Sequence, residues 1–171
     1  MIRPVRILVS LAAAAVLTVG LALPAHAIPP PPYCYGTGPG PTRDVTYRGV
    51  LVHTAVSCQW LDAGNSWYFG HARLTMQRDG NLVIYDQSNR ARWASNTYRS
   101  GATQLVFQQD GNLVLYTAGY ARAVWSSGTY HDCGAWTTML GLQSDSNFVI
   151  YCRLSGDYST MYPIWATGTV F

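Results

Sequence analysis

The sequence predicts an all-β protein built from three similar antiparallel units. Three observations predict it. A nine-residue segment occurs three times, as QRDGNLVIY (77–85), QQDGNLVLY (108–116) and QSDSNFVIY (143–151), at offsets of 31 and 35 residues. Self-similarity at a short period marks a repeat architecture. Each copy carries a two-residue turn signal ahead of a strand-forming run. No window of useful length combines helical apolar spacing with capping residues.

Taken in chain order, residues 1–27 read as a secretory signal peptide. Arg3 and Arg6 precede an uncharged run from Ile7 to Leu23, Pro24 breaks it, and Ala25-His26-Ala27 supplies a small-x-small cleavage pattern. The run is short for a bilayer span, and no later segment is apolar enough to cross one. The expectation is a secreted, extracellular protein with no membrane insertion after cleavage. Residues 28–43, opening IPPPPYCYGTGPGPT, form an expected Pro/Gly-rich arm, because proline fixes φ and lacks the N–H that a helix or central strand needs. The folded domain is expected over 44–171, where Val45, Tyr47, Val50, Val52 and Val56 stand among polar residues and glycine.

Each repeat reads as a strand, a tight turn, a second strand, a longer loop and a tryptophan-bearing strand: RWASNT with Trp93, VWSSGT with Trp125 and IWATGT with Trp165. Asp79-Gly80 and Asp110-Gly111 are hairpin dipeptides, since both residues tolerate positive φ. Asp145-Ser146 is a poorer turn former. Alternation puts Leu82 and Ile84, Leu113 and Leu115, and Phe148 and Ile150 on one strand face, and the intervening Val and Tyr on the other. So short a unit cannot bury its own apolar face, whereas three sheets forming the sides of a prism can. Trp93, Trp125 and Trp165 are expected to be buried together on the axis as core residues.

Beyond residue 27 there are nine Arg and eight Asp, with no Lys or Glu, a net charge of +1. No arginine cluster suggests nucleic acid, whose binding rests on phosphate neutralisation. Cys34, Cys58, Cys133 and Cys152 follow an export signal, so two disulfides are expected. Three pairings are possible; Cys34–Cys58 and Cys133–Cys152 each bracket a local segment and are favoured. No C-x-x-C occurs, and His131-x-Cys133 lacks further partners at ligand spacing, so neither a metal nor a cofactor is expected.

The thrice-repeated Q-x-D-x-N-x-V-x-Y with a following W-x-x-x-T resembles the monocot bulb-type mannose-binding lectins, or B-lectin domains, over roughly residues 50–171. Within that family it resembles a bacterial-type secreted member. The resemblance implies a β-prism II fold with three pseudo-symmetric antiparallel subdomains and one shallow mannose site in each. Carried over, Gln77, Asp79, Asn81 and Tyr85 would hydrogen-bond the sugar while Val83 touches its ring carbons. Gln108, Asp110, Asn112, Val114 and Tyr116 would form the second site, and Gln143, Asp145, Asn147, Val149 and Tyr151 the third. Ser146 and the longer loop from Cys152 to Pro163 depart from the family pattern and bear on the third site. Relatives often exchange the C-terminal strand, here Ile164–Phe171, which implies a homodimer.

The residue types suit the chemistry independently. A pyranose presents hydroxyls that donate and accept, and small C–H patches. Gln and Asn offer donors and an acceptor, a carboxylate only accepts, and Tyr does either. A group left unpaired by the wrong epimer costs about 1–3 kcal/mol, which discriminates mannose from glucose. Strand propensity alone explains Val and Tyr but not Gln, Asp and Asn at the same places in three units. An enzyme is not expected: a glycosidase needs two carboxylates about 5–10 Å apart, whereas Asp79, Asp110 and Asp145 would lie on separate prism faces. His53, His71 and His131 have no repeated partner. The expected partner is mannose, a mannose-rich glycan or mannan. The alternative is a bacterial toxin or antagonist that uses the same fold to reach a surface glycan.

Overall fold

A computed structural model describes residues 43–134, 137–154 and 157–171. The expected signal peptide, Cys34 and the arm up to residue 42 lie outside the described residues. Four strands precede the repeats: β1 (Arg43–Tyr47), β2 (Val50–Ala55), β3 (Gln59–Asp62) and β4 (Ser66–Phe69). The first repeat supplies β5 (Ala72–Met76), β6 (Leu82–Tyr85) and β7 (Ala91–Ala94). The second supplies β8 (Ala102–Phe107), β9 (Leu113–Thr117) and β10 (Ala123–Ser126), and the third β11 (Thr137–Gln143), β12 (Phe148–Arg153) and β13 (Tyr162–Ala166).

These strands make three antiparallel sheets in the orders β4-β5-β6-β7, β10-β9-β8-β3 and β1-β2-β11-β12-β13. Each repeat contributes three strands, and residues 50–69 deal one more to each sheet. β4 joins the first unit, β3 the second and β2 the third, so this segment stitches the prism together. The links between them, residues 56–58 and 63–65, carry the chain from sheet to sheet. β1 stands outside this scheme as a fifth strand paired with β2, its Asp44 Oδ1 2.6 Å from His53 Nδ1 across the ladder.

Period-two alternation fills the centre. Leu74, Met76, Leu82 and Ile84 from the first sheet meet Leu105, Phe107, Leu113 and Leu115 from the second and Leu140, Leu142, Phe148 and Ile150 from the third. Each such side chain contributes about 2 kcal/mol by leaving water. Trp93, Trp125 and Trp165 meet as a triangle with centroid distances of 5.9, 6.0 and 6.1 Å, each pair edge to face. They meet and pack against the core as expected, but each is partly rather than fully buried, because β7, β10 and β13 are edge strands.

The hairpin turns also differ from expectation. Only the second residue of each dipeptide has positive φ: Gly80 at 90°, Gly111 at 87° and Ser146 at 77°. Gly80 N–H donates to Gln77 O (3.1 Å) and Gln77 N–H to Asn81 O (2.9 Å). This is a three-residue loop, a turn followed by a left-handed residue, rather than a two-residue turn. Cys133 and Cys152 form the expected disulfide, with Cα atoms 5.4 Å apart. Cys58 is also disulfide-bonded; its expected partner, Cys34, lies outside the described residues.

Candidate functional site

Each hairpin holds its motif side chains in the same way. The Gln amide Nε2 donates to the Tyr hydroxyl two strand positions beyond the valine, at 2.7 Å for Gln77–Tyr85 and 2.7 Å for Gln108–Tyr116, and Gln143 does the same to Tyr151. Asp Oδ1 accepts the backbone N–H of the following Asn, at 3.0, 2.9 and 3.1 Å in the three units. A register shift next to the motif tyrosine recurs in all three sheets, and such bulges bend a strand and re-aim its side chains.

The Asn carboxamide is fixed from behind. Asn81 Oδ1 accepts from Ser95 Oγ and Thr97 N–H, both at 3.1 Å. Asn112 Oδ1 takes Ser127 Oγ and Thr129 N–H, and Asn147 Oδ1 takes Thr167 Oγ1 and Thr169 N–H. The same threonines donate through Oγ1 to the backbone carbonyls of Gly80, Gly111 and Ser146, each at 2.7 Å. These hydroxyl pairs were not among the expected site residues. Their signal is present, since each tryptophan is followed by x-[S/T]-x-T. Among the described residues, this network leaves the Asn Nδ2 as donor, the second Asp oxygen as acceptor and the Tyr O–H as donor. That is a mixed set at fixed spacing, matched to vicinal hydroxyls.

The three units differ in what surrounds this set. Opposite the motif tyrosine across the ladder stand Arg73, Gln104 and Met139 in turn. Tyr85 is partly exposed with the Arg73 guanidinium 4.9 Å from its ring centre, and Tyr116 is partly exposed with Tyr120 at 5.6 Å. Tyr151 is only 1 % exposed and Gln143 8 %. They lie under a second apolar cluster of Val52, Met139, Val149 and Met161, flanked by Val45, Tyr47 and Tyr158. The Tyr47 ring stands edge-on to Tyr151 at 5.3 Å. Gly141, opposite Val149, makes room for this: a Cβ there would lie 2.7 Å from the Tyr151 ring. The third motif, expected as an open site, therefore has its Gln, Val and Tyr covered, because β1 and the segment before β13 pack over it. Val83 and Val114 are also buried, forming the floor of their sites.

The three motif aspartates sit one to each sheet. His53 is paired with Asp44, His71 Nδ1 lies 2.8 Å from Gln87 Nε2, and His131 lies against Tyr130. Among the described residues, no three His, Cys, Asp or Glu side chains gather to hold a metal ion.

No family model matches the chain, and no curated protein does. Solved structures do. The chain is similar to the monomeric monocot mannose-binding lectins from Gastrodia elata, at 41 % identity over 69 % of this chain and 98 % of that one, with a TM-score of 0.56. It is similar to the Polygonatum cyrtonema lectin, solved with monomannoside, at 36 % identity over 68 % and 96 % of the two chains and a TM-score of 0.52. It is also similar to the mannose-specific agglutinin from snowdrop (Galanthus nivalis) bulbs, solved with methyl-α-D-mannoside, at 34 % identity over 69 % and 97 % and a TM-score of 0.52. Three antiparallel sheets around one core match the β-prism II fold of these lectins.

Proposed function

The chain belongs to the monocot mannose-binding lectin family, and from that premise we propose that it is a secreted lectin that binds mannose-type glycans through its first and second motifs. The observation that carries this reading is the pre-set donor and acceptor group in those two units, with Tyr85, Asn81, Tyr116 and Asn112 all partly exposed. Asn81 and Asn112 each have their carbonyl tied down, so the amide N–H groups face the ligand without a search over rotamers, and a preorganised group loses less on binding. The third unit keeps the motif as a structural element beneath β1.

Each site is shallow and takes one small ring. Monosaccharide affinity is expected near the millimolar range, about −4 kcal/mol. Two sites on one rigid body gain by avidity on a branched or clustered glycan.

Titration calorimetry with methyl α-mannoside tests this. Two equivalents per chain are expected, one for Asn81→Ala and one for Asn112→Ala, and none for the double variant with its far-UV circular dichroism intact. Three equivalents would reopen the third unit, and no binding by the parent protein would refute the mannose reading. Secretion is tested separately by N-terminal sequencing of the exported protein, with Ile28 as the expected first residue.

A further inference from the structure

We infer that Tyr98 and Tyr130 are stacking platforms for the sugar ring next to the motif-bound mannose, which makes the ligand an oligosaccharide rather than a single hexose. This rests on the mannose reading above and extends it.

Both tyrosines are strongly exposed, Tyr98 at 58 % and Tyr130 at 60 %. Two hydrogen bonds that reach the motif bracket each of them. On one side of Tyr98, Thr97 N–H donates to Asn81 Oδ1 at 3.1 Å; on the other, Arg99 N–H donates to Asp79 O at 2.7 Å. On one side of Tyr130, Thr129 N–H donates to Asn112 Oδ1 at 3.3 Å; on the other, His131 N–H donates to Asp110 O at 3.0 Å. The backbone on both sides of each tyrosine is thus tied to its motif, one residue from N–H groups that bond the motif Asn and Asp.

The local backbone is built for this placement. Ser100 N–H donates to Thr97 O and Asp132 N–H to Thr129 O, so each tyrosine is the second residue of a turn. The third residue has positive φ, 59° at Arg99 and 55° at His131. Glycine is the usual residue there, and a larger side chain held in that region is strained. Both positions instead carry a side chain that covers its neighbour. The Arg99 guanidinium lies 5.0 Å from the Tyr98 ring centre, and the His131 ring 4.0 Å from Tyr130. A cation or imidazole against one face holds the ring in place and leaves the other for the C–H patch of a pyranose, whose weakly positive hydrogens suit an aromatic face.

The third unit supplies the contrast within the same chain. Thr169 N–H and Phe171 N–H reach Asn147 and Asp145 in the same manner, but the bracketed residue is Val170. The aromatic platform occurs beside the two motifs that are open and not beside the one that is covered.

Calorimetry with methyl α-mannoside and with a branched mannotriose tests this on three proteins: the parent, Tyr98→Ala/Tyr130→Ala and Tyr98→Phe/Tyr130→Phe. The parent should bind the triose about tenfold more tightly than the monosaccharide. The alanine variant should lose most of that preference while its monosaccharide affinity stays within about twofold, and the phenylalanine variant should keep both. An alanine variant with the parent's preference, or a parent that binds both sugars equally, overturns the inference and leaves mannose binding standing. A parent that binds no methyl α-mannoside removes both.

Discussion

Tyr85, Tyr116 and Tyr151 share one motif position, yet their neighbours give them different chemistry. Arg73 or Gln104 opposite the first two keeps the outer face polar, while Met139 and Gly141 in the third sheet let Tyr151 lie down under Val52 and Tyr47. Burial, with Tyr47 and Asp145 nearby, pushes the Tyr151 hydroxyl up to about 12. In an unfolded chain a tyrosine titrates near pH 10, so the folded state holds this proton more tightly. That contribution is complete below pH 10 and is lost as the pH rises through 12. Urea unfolding should show a loss of about 2 kcal/mol from this group over that interval, and Tyr151→Phe should lack that part of the fall.

At the scale of elements, β1 and the [S/T]-x-T tails explain most of what differs between a hairpin and a site. The tails turn a strand end into a clamp on the Asn amide and on the hairpin carbonyl, in all three units. β1 decides which unit stays open. Its Tyr47 ring covers the third motif, while the Tyr47 hydroxyl is buried and finds no hydrogen-bond partner among the described residues. A buried polar group without a partner costs about 1–3 kcal/mol. Tyr47→Phe should therefore keep or raise stability by about 1 kcal/mol in denaturant unfolding. Tyr47→Ala should lower it, because the aromatic contact with Tyr151 goes as well. A clear loss in Tyr47→Phe would mean that this hydroxyl is bonded in solution.

For the molecule as a whole, the tryptophan triangle is the joint between units. Each ring comes from a different sheet and touches the other two, and Trp165 also meets Phe148 at 6.1 Å. Removing a buried tryptophan side chain costs about 3–5 kcal/mol; partial exposure puts these near the lower end. Trp93→Ala should cost about 3 kcal/mol. Trp93→Ala with Trp125→Ala should cost less than the two single losses together, because residues in contact are coupled. Urea midpoints of the singles and the double close this cycle. Strict additivity would show that the rings pack beside one another without cooperating.

The repeat itself determined the three-unit architecture, the inward set of Leu, Ile and Phe, and the polar constellation on each hairpin. Those follow from period-two alternation and from residue types recurring at fixed places, both local properties of the chain. The hydroxyl pairs after each tryptophan were equally visible as a pattern. Their role was not, because a hydrogen bond from Thr97 to Gly80 spans 17 residues and depends on how the strands close. Only the tertiary structure decided that residues 50–69 deal one strand to each sheet, since β2 and β3 find β11 and β8 far along the chain while β4 turns straight back onto β5. It also decided that the third motif is covered. Its residues match the other two position for position; what closes it is Tyr47, carried on the β1–β2 hairpin and brought there by β2 pairing with β11, a non-local contact that no spacing within the motif encodes.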